Sequence, residues 1–143
     1  MDDLIRQLKQ IYVLLDDSER RALRSVALTP TQVGLLSAVF QSEDGQTISA
    51  LARALLCTRG NATRLVRRMT QYQLLVATGH EQDRRLVVVR LTDQGRLLLS
   101  EAQQALSMNA ARLQKSLAPT ALDRLTPACA ELIDALKQRL TEQ

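Results

Sequence analysis

Asn61, Thr63, Arg64, Arg67 and Arg68 stand at helical spacing within the segment 58–69, TRGNATRLVRRM. An asparagine amide matches the edge of adenine, an arginine fork matches guanine or a phosphate, and a hydroxyl suits several base edges. The chemistry open to such a set is recognition of a nucleic acid by hydrogen bonding. The charge distribution agrees with this. Residues 53–96 hold nine arginines and no lysine against Glu81, Asp83 and Asp93, so this segment carries +6. The whole chain carries +4, which leaves −2 for everything else. The polyanion-binding capacity is therefore concentrated in one stretch.

Few other residues offer reactive chemistry. The chain has one histidine, His80, and two isolated cysteines, Cys57 and Cys129. Metal-ligand spacing, a paired-carboxylate motif and a glycine-rich phosphate loop are all missing, which argues against an enzyme and against a metal or cofactor. Cys57 precedes the arginine-bearing helix, where the helix dipole and Arg59 favour a thiolate, so it is the candidate redox residue. A small side chain filling a turn is the simpler account of it, and Cys129 is expected in the core. No apolar run approaches the roughly 18 residues of a membrane span, and the opening residues MDDLIRQLKQ show no signal sequence. The expected location is a reducing cytoplasm.

The elements that must position these residues are punctuated by threonines. Apolar residues at 4, 8, 11, 15, 23 and 26 predict one long amphipathic first helix. Thr29-Pro30-Thr31-Gln32 has the form of a capping box with proline at the first helical position, opening a second helix that ends near Gln41. Thr47 caps a short third helix with Ile48, Leu51, Ala52 and Leu55 inward. Leu56-Cys57-Thr58 is then a tight turn, and Thr58 caps a fourth helix with Ala62, Leu65, Val66 and Met69 inward. Two helices in this relation form a helix-turn-helix.

After Tyr72 the pattern becomes β-favouring. Residues 74–78 and 86–91 predict a two-stranded wing around the polar stretch 79–85. Thr92 and Asp93 restart helix, with Leu97, Leu98, Ala102, Ala105, Leu106 and Leu113 marking one face. The last helix spaces Leu122, Leu125, Cys129, Leu132, Leu136 and Leu140 like a coiled-coil seam. Pro127 falls inside it and predicts a kink, or a restart capped by Thr126. The expected fold is mainly α with a small β-wing: six helices in a winged helix-turn-helix. We expect one compact domain, with a dimerisation helix over 1–28, the DNA-binding region over 29–92 and C-terminal dimerisation helices over 93–143. The terminal stripes exceed what a small winged domain can cover, which predicts a homodimer.

The succession LTPTQVGLL, TISALARALL, TRGNATRLVRRM and DRRLVVVRLTDQG resembles the MarR family of bacterial winged helix-turn-helix regulators, nearly end to end. Asp83-Arg84-Arg85 and Leu91-Thr92-Asp93-Gln94-Gly95 are its most specific pieces. The resemblance implies a homodimeric transcriptional regulator, usually a repressor, on a pseudo-palindromic double-stranded operator. It also implies release by a small, often phenolic, molecule or by oxidation. Arg59, Asn61, Thr63, Arg64, Arg67 and Arg68 would face the major groove, with Asn61, Thr63 and Arg64 on base edges and Arg67 and Arg68 on phosphate. Arg84 and Arg85 would lie in the wing with Arg85 in the minor groove, and Asp83 would hold the wing in shape. By the same analogy Tyr12 and Phe40 are candidates to line an effector pocket, although core packing explains them more simply. The competing function is a winged-helix module that binds an acidic protein without reading DNA. Three departures from the family pattern stand out: Gln73 in place of a glycine after the recognition helix, Ala77-Thr78 where a basic residue is common, and Pro127.

Overall fold

A computed structural model describes residues 2–79 and 86–142. They divide into two compact units, Met1–Ser107 and Met108–Gln143. The first holds α1 (Asp2–Ala22), a 3-10 turn (Arg24–Val26), α2 (Pro30–Phe40), β1 (Gln46–Thr47), α3 (Ile48–Ala54), α4 (Arg59–Gln71), β2 (Leu75–Gly79), β3 (Val87–Leu91) and most of α5 (Asp93–Lys115). The second holds the end of α5 and α6 (Pro119–Thr141).

Each helix of the winged region begins where the sequence places a threonine. The Thr29 hydroxyl accepts from the Gln32 N–H at 3.2 Å while Gln32 Oε1 accepts from the Thr29 N–H at 3.0 Å, which completes the capping box. Thr47 accepts from the Ala50 N–H and Thr58 from the Asn61 N–H, both at 3.2 Å. Each cap satisfies a donor that the first turn of a helix leaves without a partner.

The core is built from one face of each element. Leu35, Leu36, Leu51, Met69, Leu75, Val89 and Leu99 are all fully buried, together with Leu23 just before the 3-10 turn. Each such side chain contributes about 1.5–3 kcal/mol relative to an exposed one. The sheet is antiparallel in the order β1-β3-β2, with Thr47 and Thr78 both opposite Val88. The expected two-stranded wing thus gains a third strand, too short at two residues to show a periodicity. It also explains why Val88 and Val89 are buried in succession. Gly45, at φ +88°, turns the chain over the far side of β3, and a side chain there would meet Val88 Cγ1 at 2.5 Å.

Several expectations are corrected. The first helix ends at Ala22, and Leu23 and Val26 turn into the core through the 3-10 segment and a left-handed Ala27. The buried face of α5 is Gly95, Leu99 and Ala102, flanked by Leu98 and Leu106, while Leu97 and Leu113 are exposed. In the second unit α6 runs unbroken through Pro127, so no new helix starts there. The Thr126 hydroxyl donates to the Leu122 carbonyl at 3.0 Å instead of capping a fresh turn. Cys129 is exposed, as are Leu125, Leu136 and Leu140. Neither α1 nor α6 has a buried residue.

The joint between α4 and the sheet is the tightest point. Gln73 adopts φ 60°, its N–H bonds the Thr70 carbonyl, and the Leu74 N–H bonds the Met69 carbonyl. This is a Schellman ending with glutamine in the position that glycine favours. The Thr92 hydroxyl donates to the Gln73 carbonyl at 2.7 Å and accepts from the Gly95 N–H at 3.0 Å, and the Thr92 N–H bonds the Leu74 carbonyl. A Cβ on Gly95 would lie 2.1 Å from the Leu74 carbonyl oxygen, a backbone atom with no room to yield. Gly95→Ala should therefore destabilise the protein by about 2–3 kcal/mol in urea unfolding. Gln73→Gly relieves the left-handed strain and should stabilise it by about 1 kcal/mol in the same assay.

Candidate nucleic-acid interface

The helix-turn-helix is formed by α3, the turn at 55–58 and α4. The turn is a second Schellman ending: Leu56 takes φ 52°, the Cys57 N–H bonds the Ala52 carbonyl and the Leu56 N–H bonds the Arg53 carbonyl. Leu56 is 80% exposed, so nothing packs against its side chain to hold it in this conformation. The backbone bonds do that instead. The turn aims α4 so that Ala62, Val66 and Met69 enter the core with Leu65 half-buried. Arg59, Asn61, Thr63, Arg64, Arg67 and Arg68 are all exposed.

Beside this face lies an open groove of about 580 Å³, lined by Thr31, Cys57, Asn61, Arg64, Leu65, Arg67, Arg68 and Gln71. Four of the predicted DNA-facing residues therefore share one concave surface, with α2 supplying its far wall through Thr31. The ion pairs among the described residues, Arg6–Asp3, Arg20–Asp16 and Arg21–Asp17, all lie on α1. The arginines of α4 pair with no described acid. Arg64, Arg67 and Arg68 line the groove, and no ion pair with a described acid has to be broken before they meet an anion. The Arg64 guanidinium donates to Asn61 Oδ1, and the Thr63 hydroxyl donates back to the Arg59 carbonyl at 2.9 Å. Thr63 thus offers its methyl and its lone pairs outward.

Cys57 is partly buried at the edge of the groove. His80, Asp83, Arg84 and Arg85 lie outside the described residues, so their expected roles rest on sequence alone. On the described part of the wing, Arg90 donates to Thr78 Oγ1 across the strands at 3.3 Å. The two ring candidates do not behave as core residues. Tyr12 is 72% exposed on α1. Phe40 is 51% exposed at the end of α2, with the Arg96 guanidinium 5.9 Å from its ring centre. That is cation–π distance. Arg53, Arg90 and Arg96 raise the count of positive charges in this unit without entering the groove.

The region from Leu28 to Gly95 matches the family of winged helix DNA-binding domains. The match runs from just before α2 to the glycine that seats α5 against the wing. The chain as a whole has the fold of the MarR-type transcription regulators. A putative MarR-like regulator from Bacillus cereus superposes with a TM-score of 0.85 at 18% identity, over 94% of this chain and 96% of that one. The transcriptional repressor CouR bound to a 23-mer DNA duplex gives 0.82 at 25% identity, over 89% of each chain. CouR from Rhodococcus jostii bound to p-coumaroyl-CoA gives 0.78 at 18% identity, over 92% of each. Comparison with curated protein sequences returns no match. No described helix is long and apolar enough to cross a membrane.

Thr58 controls where the exposed face of α4 begins. Thr58→Ala should destabilise the protein by about 1 kcal/mol and raise the hydrogen exchange of the Asn61 amide, measured by urea unfolding and by exchange NMR.

Proposed function

We propose that this protein is a sequence-specific DNA-binding transcription regulator, acting as a repressor in the cytoplasm with no catalytic activity. The observation that carries this is the exposed α4 face, where Arg64, Arg67 and Arg68 line a groove and pair with no described acid. A helix so equipped fits the major groove, with Asn61, Thr63 and Arg64 toward base edges and Arg59, Arg67 and Arg68 toward phosphates. Arg84 and Arg85 extend the basic surface along the sequence, with Arg85 assigned to the minor groove and Asp83 to supporting the wing.

The working form is a homodimer on a pseudo-palindromic operator. Leu4, Ile5, Ile11 and Leu15 on α1 are exposed apolar side chains, and so are Leu125, Ile133, Leu136 and Leu140 on α6. Stripes of this extent call for a second copy. Residues 1–28 and 93–143 are the dimerisation segments and 29–92 the DNA-binding region. CouR occurs both on DNA and with an acyl-CoA, which supports release by a small molecule here as well. Tyr12 and Phe40 are the aromatic groups offered to such an effector, and Cys57 the group offered to an oxidative signal.

The test is a titration of protein on duplexes selected from random DNA, over a range of salt concentrations. Affinity should fall steeply with salt, and Arg67→Ala should lower the slope of log K against log salt by about 1, since one phosphate contact is lost. Arg85→Ala should weaken binding without lowering thermal stability. Salt-independent binding would count against the reading, and binding with no sequence preference would favour a protein-interaction module.

A further inference from the structure

We infer that Asn61 and Arg64 read DNA as one coupled fork of hydrogen-bond donors that selects guanine, and that Asn61 does not read adenine on its own. This rests on the DNA-binding reading above. Arginine carries only donors, so the asparagine atom that meets the Arg64 guanidinium must be Oδ1. The orientation of the Asn61 amide follows from this. Its Nδ2 group, with two N–H donors, is directed away from Arg64, and both side chains are exposed on the wall of the groove.

The consequence is a strong bias in what the pair presents. A bidentate asparagine contact to adenine needs Oδ1 to accept from the N6 amino group while Nδ2 donates to N7. Here Oδ1 already accepts from a cation. Its second lone pair faces a local field made positive by the guanidinium, which opposes the partial positive charge on an amino hydrogen. The same bond polarises the amide and strengthens Nδ2 as a donor. Guanine shows two acceptors, N7 and O6, and no donor in the major groove. Arg64 can take one guanine bidentately while Asn61 Nδ2 donates to an acceptor on the same or the next base. Thr63 does not compete for this role, because its hydroxyl proton is held by the Arg59 carbonyl.

The coupling also gives Asn61 a second task. By holding Arg64 in one rotamer it removes side-chain freedom that would otherwise be lost on binding. Asn61 is thus a positioning residue for Arg64 as well as a donor. The two substitutions should act on one and the same base pair.

The experiment is a selection from random duplexes with the full chain, followed by anisotropy titrations on the selected site and on its guanine-to-adenine variant. Wild type, Asn61→Ala, Arg64→Ala and the double variant are compared at one salt concentration. We expect the wild type to prefer guanine by tenfold or more at that pair. Each single variant should reduce the preference to below about threefold, and the double variant should lose little beyond either single one. The inference is overturned if Asn61→Ala abolishes a preference for adenine that Arg64→Ala leaves untouched, or if the two losses simply multiply. In either case the DNA reading stands. If the wild type shows no preference among duplexes, that reading falls and takes the inference with it. Thermal unfolding of each variant confirms that the fold is retained, since neither side chain is buried.

Discussion

Everything the outer face of α4 can do depends on a backbone contact at its far end. The carbonyls of Gln73 and Leu74 are held by Thr92, one through the hydroxyl and the other through the N–H, and Gly95 lets the first turn of α5 come within van der Waals reach of the Leu74 carbonyl. The helix α4, the sheet and α5 thereby meet at one point with little room to shift. If that contact were loosened, α4 would lose its fixed angle to the wing, and its arginines would no longer line one groove with Thr31. The motif Leu91-Thr92-Asp93-Gln94-Gly95 is thus explained without any direct contact to a ligand: it supplies a hydroxyl that bonds two ways and a residue with no Cβ.

Much of this architecture could be read from the sequence because it is encoded locally. Thr29, Thr47, Thr58 and Thr92 each bond within their own first turn, so the start of a helix is visible in four consecutive residues. The inward faces of α3 and α4 also follow from spacing alone. What escaped was set by tertiary context. The strand β1 is two residues long and exists because β3 is there to pair with it. The buried face of α5 is turned by the close approach of Gly95 to Leu74, which the leucine pattern does not report. The 3-10 turn at Arg24–Val26 interrupts a periodicity that continues across it in the sequence, because Leu23 and Val26 serve the core while the residues of α1 do not.

The candidate site was legible as composition and not as geometry. The segregation of arginine into residues 53–96 located the surface, and the periodicity of α4 selected the side that faces outward. The sharing of the groove with Thr31 could not be foreseen, since Thr31 belongs to α2 and stands well away in the chain from the residues of α4. Nor could the bond between Asn61 and Arg64, which occupies the amide oxygen of the asparagine. Tyr12 and Phe40 show the opposite failure. Large apolar rings are commonly buried, yet one lies on a helix without a buried face and the other sits under an arginine at a helix end.

The ends of α4 are pinned by groups that take no part in its outward face. Thr58 holds the first turn through its hydroxyl, and the Schellman ending at Gln73 holds the last through main-chain bonds alone. The residues between are therefore divided into two sets with separate physical duties. Ala62, Val66 and Met69 answer to the core, while positions 61, 63, 64, 67 and 68 are exposed and can change identity without moving either end. A fold organised in this way can acquire a new target by substitution on one helix face while its stability stays where it was. Descendants of such a chain would be expected to keep the threonine caps and the seating glycine long after their recognition surfaces had diverged.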